Sequence, residues 1–341
     1  MSRSGSGRNG APTIYDIAEA AGVNPSTVSR ALGKPGRVAA ATVERIEQAA
    51  RSLNYQANPI ARALHSGRTQ TVGLIVADLL NPVYFEVVRG AQSAAAAGNY
   101  TLLLAQSVED PATELLAAQR LAGTVDGLIL VTSRLEESQI RLLAAHKPVV
   151  AINREISDVL CIAPDASDAI NQAIAHLARY GHQRVGYVPG PERSWASGQR
   201  ADALARVAAQ HGISLEIFER QNPHRLGGAA SLEEIFSSSV SAVFMYNDLM
   251  AIGLMQECGE RGIRVPEDLS IIGFDDIFGA DFTTPALSSV RFPLYGCGAE
   301  ALRILVRCIE TGEYMRKTPE FGSELMIRGS TGPKINGQKT D

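Results

Sequence analysis

The 341-residue chain has one tryptophan, Trp195, and four cysteines, Cys161, Cys258, Cys297 and Cys308. No two cysteines form a CxxC pair, and no histidine stands at a zinc-module spacing from them. That argues against a zinc module and leaves small buried thiols in a reduced cytosol as the expectation; no metal or cofactor is expected. No apolar run reaches 18 residues, so no transmembrane helix is expected. The N-terminus is a Ser/Gly/Arg stretch with no apolar core of a signal peptide, which points to a cytoplasmic protein. The phosphate-cradling GxxxxGK[ST] and the nucleophile-bearing GxSxG are missing, which argues against a kinase or an α/β-hydrolase. No enzyme activity is expected.

Charge is unevenly placed. Residues 1–70 carry nine Lys and Arg against four acids, a net +5; the rest carries 23 against 32, a net −9. A basic head on an acidic body suggests a polyanion-binding module joined to a different machine.

The head reads as short helices. Thr13, with Asp16 three residues on, gives a capping-box start. Ile14, Ile17, Ala18 and Ala21 share one face, and Gly22 stops the helix. Asn24 caps the next helix and Pro25 takes its first position, where a missing N–H costs nothing. Val28 and Leu32 are expected to face the core, and a third helix is predicted over 40–53. Helix, glycine turn, helix is the helix-turn-helix plan. The early exposed face of its second helix offers Pro25, Ser26, Thr27, Ser29 and Arg30. Hydroxyls reach phosphates or base edges, and arginine can read guanine with two hydrogen bonds.

From Thr71 the texture changes. Val/Ile/Leu runs alternate with amphipathic stretches in two series, "TVGLIVA" to "PVVAIN" and "CIAPD" to "LSIIGFDD". Continuous apolar strands between helices imply parallel sheets covered on both faces. The expected fold class is α/β: an N-terminal all-α head plus two doubly wound parallel-sheet lobes. The expected divisions are a disordered tail over 1–11, a helix-turn-helix head over 12–57, and a hinge helix with linker over 58–70. A core over 71–330 follows, and then a loose tail over 331–341. Within the core, the N-lobe takes about 71–162 plus 292–323, and the C-lobe about 163–291 plus 324–330.

"TIYDIAEAAGVNPSTVSRALGKPGRVAAATVERIEQAARSLNYQANPIARAL" closely resembles the head of the lactose-repressor (LacI/GalR) family of bacterial transcription regulators. The motifs "VADLLNPVYFEVVRGAQ", "DGLILV", "GHQRVGYVPGP", "YNDLMAIGLMQ", "GIRVPEDLSIIGFDD" and "TTPALSSV" extend the resemblance over about 12–330. It implies a homodimer on a pseudo-palindromic operator, with a small sugar-like effector between two lobes of a periplasmic-binding-protein-like fold. Pro25, Ser26 and Arg30 match base-reading positions, and Pro25 departs from the larger side chain often found there. Thr13, Thr27, Ser29 and Asn58 match positions that hold the DNA backbone. Leu64 matches the wedge that enters the minor groove. Arg200 and Asp275 match the family's effector-binding arginine and acid.

Ligands of open α/β sheets sit beyond the carboxyl ends of the strands. Asn81, Phe85, Arg134, Asn153, Trp195 and Asn247 lie at or just after strand ends and complete the expected effector set. Asn153 replaces an acid used by some sugar-binding members. The body alone would suit an exported solute-binding receptor; the head and the missing signal peptide oppose that reading.

Overall fold

The computed structural model describes residues 12–33, 37–55, 67–314 and 319–334. The chain forms two compact units, 1–69 and 70–341. Asn58, Leu64 and most of the expected hinge helix lie outside the described residues.

In the first unit, helices span Ile14–Ala21, Pro25–Gly33 and Ala40–Ser52. The Thr13 backbone N–H and hydroxyl both donate to Asp16 Oδ2 at 2.7 Å. Gly22 ends the first helix with φ +63°, a left-handed turn that glycine adopts without a Cβ clash. Ile17, Ala18, Val28, Ile46 and Ala49 form the core. Leu32 does not join it and is 41% exposed. Four residues of helix carry a side chain past the starting face, and Ala31, one turn from Val28, takes the inward place.

In the second unit, five parallel strands make one sheet: β1 (Thr71–Val76), β2 (Thr101–Gln106), β3 (Gly127–Val131), β4 (Val149–Ile152) and β5 (Leu160–Ile162). Their order is β2-β1-β3-β4-β5. The other sheet holds β6 (Arg184–Val188), β7 (Ser214–Ile217), β8 (Ala242–Met245), β9 (Ser270–Asp275), β10 (Ser288–Arg291) and β11 (Glu324–Met326). Its order is β11-β10-β9-β8-β6-β7, with only β11 antiparallel. Both orders switch direction beside the first strand of their series, the position where doubly wound folds open a crevice. Between β7 and β8 the chain forms two helices, Arg225–Ala230 and Leu232–Ser237, broken at Ser231.

Each lobe has one very close helix pair. A Cβ on Gly90 would lie 2.0 Å from the Tyr295 carbonyl oxygen, and one on Gly298 would lie 2.0 Å from that of Val87. Helices Val83–Ala97 and Leu294–Thr311 therefore meet backbone to backbone. Gly228 and Gly253 do the same for Arg225–Ala230 and Asp248–Glu260, against the carbonyls of Met250 and Arg225.

The chain passes between the lobes after β5, after β10 and before β11. Two of these crossings are tied together, since the Asp165 N–H donates to the Phe321 carbonyl at 2.8 Å. The first residues of the expected loose tail are packed instead. Thr331 and Gly332 are buried, and Lys334 N–H donates to the Tyr180 carbonyl at 2.9 Å. His182 explains the docking. Its Nε2 meets the Gly332 carbonyl at 3.0 Å while Nδ1 meets Ser241 Oγ at 2.8 Å. Burial lowers the pKa of this imidazole and keeps it a neutral structural bridge.

Candidate functional site

The cleft between the lobes is built where strands end. Val108 and Glu109 beyond β2, Thr132 beyond β3, Asn153 beyond β4 and Asp275 closing β9 all have φ between +52° and +102°. Left-handed backbone at a non-glycine residue costs about 1–3 kcal/mol, and such residues gather at binding sites. Glu109, Thr132, Asn153 and Asp275 line one cavity together with Asn81, Tyr84, Arg200, Tyr246, Asn247 and Phe292.

Arg200 organises the C-lobe wall. Its Nη2 donates to Asp275 Oδ1 at 2.8 Å, and its Nη1 donates to the Tyr246 carbonyl. The guanidinium lies over the rings of Phe274, Tyr246 and Phe292, with centroids 4.5, 5.1 and 5.6 Å away. Both charged groups are almost wholly buried. Burial holds the Asp275 carboxyl above its ordinary value although Arg200 pulls it down. Such a pair presents fixed donors and acceptors that can be exchanged for hydroxyls of a ligand.

The N-lobe wall mirrors this. Glu109 Oε2 accepts from Arg134 Nε at 2.8 Å, and Tyr84 Oη lies 2.8 Å from Thr132 Oγ1. Burial, and then Glu109, raise the pKa of Tyr84, so its hydroxyl stays protonated. Arg134 is itself only 3% exposed and does not line the cleft. It holds the cleft-lining Glu109 and also donates to the Thr132 carbonyl at 2.9 Å.

The structure thus brings Asn81, Asn153, Arg200, Asn247 and Asp275 to one cavity. Asn247 is committed to the fold as well: its side chain caps the helix after β8 through Met250 N–H and donates to the Pro223 carbonyl. Phe85 is 47% exposed and lies outside the lining, because one helical step of 100° turns it away from the inward Tyr84. Trp195 lines a second, adjoining cavity. Tyr84, Glu109, Thr132, Tyr246 and Phe292 are cleft residues that the sequence reading does not single out; all but Tyr84, which is on a helix, follow strand ends, and that is the available signal.

In the head, Ser26 and Arg30 are exposed on the second helix, while Pro25, Thr27 and Ser29 are half-buried. Arg30 Nε donates to the Ser26 carbonyl at 3.0 Å and an Nη reaches Ser26 Oγ at 3.3 Å, so the guanidinium lies along the outward face.

A helix-turn-helix unit joined to a two-lobed α/β core with a polar cleft is the architecture of a ligand-responsive DNA-binding regulator. Residues 13–58 match the family model described as bacterial regulatory proteins, lacI family, and residues 174–331 match a periplasmic binding protein-like domain. The chain is 30% identical to the HTH-type transcriptional repressor CytR of Escherichia coli K12, across 94% of this chain and 96% of that protein. It is 35% identical to the HTH-type transcriptional regulator MalR of Streptomyces coelicolor, across 93% and 96%. Among solved structures, the lac repressor dimer bound to operator and the anti-inducer ONPF superposes with a TM-score of 0.83 at 23% identity, covering 95% of this chain and 100% of that one. The transcriptional regulator CelR–cellobiose complex gives 0.70 at 26%, covering 94% and 99%. The chain belongs to the lacI family of bacterial transcriptional regulators, and it is a DNA-binding repressor with a small-molecule effector.

Proposed function

We propose that this protein is a cytoplasmic homodimeric repressor of carbohydrate-related genes, not an enzyme. A sugar-like effector in the cleft controls its affinity for a pseudo-palindromic operator. The buried Arg200–Asp275 pair carries the reading: a guanidinium and a carboxylate 2.8 Å apart at the carboxyl end of the sheet suit a vicinal diol. Asn81, Asn153 and Asn247 add amide groups, and Trp195 adds a ring face for a sugar. CytR and MalR, by their names, are transcriptional regulators, and the CelR structure holds cellobiose. The exposed apolar side chains of Leu79, Leu80 and Phe85 on one lobe and of Leu226, Phe278 and Phe282 on the other support a partner subunit.

In the head, Ser26 and Arg30 read base edges while Thr13, Thr27, Ser29 and Asn58 hold phosphates. Leu64 enters the minor groove, and Pro25 contributes no hydrogen bond to a base. The test is operator binding, followed by fluorescence anisotropy on duplexes selected from random sequence, with and without a panel of sugars. Specific binding that one sugar shifts is expected. Binding that no sugar alters, but a nucleoside or amino acid does, would overturn the sugar assignment.

A further inference from the structure

The cleft has two compartments that meet at Asn153, Pro164, Arg200 and Phe292. The inner one, around the Arg200–Asp275 pair, has a cavity volume of only about 40 Å³. That is room for a few atoms' worth of hydroxyl groups, since one water needs roughly 10–15 Å³ on this scale. The outer one measures about 550 Å³. This lies within the roughly 300–1,000 Å³ of typical ligand pockets.

The outer compartment is chemically distinct. Trp195 is on its wall, and so are Glu155, Asp165, Asp168, Asp202 and Glu320, against a single exposed arginine, Arg206. Arg206 is itself directed to Ser167 Oγ at 3.2 Å. Carboxylates accept hydrogen bonds from hydroxyls and repel phosphates, and an indole face suits the apolar face of a sugar ring. The remaining walls are the interlobe crossings, at 163–168, at Phe292 and at 320–322.

We infer that the effector is an uncharged oligosaccharide of at least two sugar units: terminal hydroxyls of one unit enter the Arg200–Asp275 slot, and the next unit lies in the outer compartment against Trp195. A single ring whose hydroxyls enter the slot leaves most of the outer compartment, and Trp195, uncovered. The second unit also touches the crossings, so chain length of the sugar is read at the segments about which the lobes move. This inference rests on the sugar-effector reading above.

Trp195 is the only tryptophan, so its fluorescence reports the outer compartment directly. The experiment titrates the full-length protein with D-glucose, D-galactose and D-ribose, and with maltose, cellobiose and lactose, by calorimetry and by tryptophan emission. At least one disaccharide is expected to bind tenfold or more tighter than its component monosaccharides and to shift the emission. Trp195→Ala should weaken that disaccharide at least tenfold by calorimetry, Trp195→Phe should restore most of the loss, and the weak monosaccharide binding should change less than twofold. A monosaccharide binding as tightly as the disaccharides, or a disaccharide indifferent to Trp195→Ala, overturns the two-compartment inference and leaves the sugar reading intact. If no sugar binds while cytidine or adenosine does, both fall.

Discussion

Arg200 and Asp275 stand 75 positions apart in sequence and 2.8 Å apart in the cleft, each the other's counter-ion and each nearly buried. Removing one partner strands the other. Asp275→Ala leaves a guanidinium that cannot shed its proton, and loss of a buried ion-pair partner costs about 3–5 kcal/mol. Asp275→Asn keeps an acceptor and should cost clearly less. Urea unfolding of the core at pH 7 separates the two, and equal midpoints for wild type and Asp275→Ala would contradict the pairing.

Asp248 gives a pH-dependent expectation. It is fully buried, with Oδ1 accepting from Ser289 Oγ at 2.6 Å and Oδ2 from Ile277 N–H at 2.8 Å. Burial first, and then Asp275, raise its pKa well above 3.8. In the folded state it keeps its proton at pH values where the unfolded chain has lost it. The unfolded state then binds fewer protons, so this group's contribution to stability falls as pH rises above about 4 toward its raised value. Asp248→Asn removes that dependence. The melting temperature of the variant relative to wild type should climb as pH rises from about 4. A difference that stays constant with pH would show that Asp248 is ionised when buried.

The glycine contacts make a packing prediction. Gly298→Ala places a methyl where the Val87 carbonyl sits 2.0 Å away, and Gly253→Ala does the same against Arg225 at 1.9 Å. The neighbours are backbone and cannot rotate aside. Each should cost at least about 1–3 kcal/mol, the usual penalty of overpacking. Gly198→Ala, on a helix with open space around it, is the control and should be neutral or slightly stabilising. Thermal melts of the three variants decide the matter, and an unperturbed Gly298→Ala would mean the two helices are further apart.

Much of this architecture is legible in the residues. β1, β3, β4, β6, β8 and β9 announce themselves because a strand buried on both faces must be nearly all Val, Ile, Leu, Ala or Phe. β10, "SSVR", carries no such signal. Its Ser288 and Ser289 are buried because Ser330, Thr331 and Asp248 satisfy them, a network assembled from positions more than 40 residues apart. The polar ends of strands were readable in kind. Arg200 and Asp275 are legible by resemblance and by position, whereas Glu109 is hidden in a charged loop whose Val108 and Glu109 take left-handed backbone that their side chains do not favour. Phe85 rather than Tyr84 stands in the expected set because one sequence fixes helical phase only to within a residue or so.

For the head, the outward Arg30 predicts a change in specificity as well as affinity. Arg30→Ala should weaken the selected operator by about 1–3 kcal/mol and relax preference at one base pair in each half-site. Repeating the selection with the variant is the check. An equal loss on selected and random duplexes would make Arg30 a phosphate contact only.

The central claim is that the cleft and the DNA-binding head are coupled through the effector. It is tested by the operator dissociation constant of wild type and Arg200→Ala, each with and without a saturating amount of whichever sugar binds wild type most tightly, at a temperature where both are folded. Coupling energies between sites usually correspond to about 5–150-fold. The account predicts a shift of at least fivefold for wild type, no shift for Arg200→Ala, and the same sugar-free operator affinity for both within about twofold. An unchanged sugar-induced shift in Arg200→Ala would contradict it.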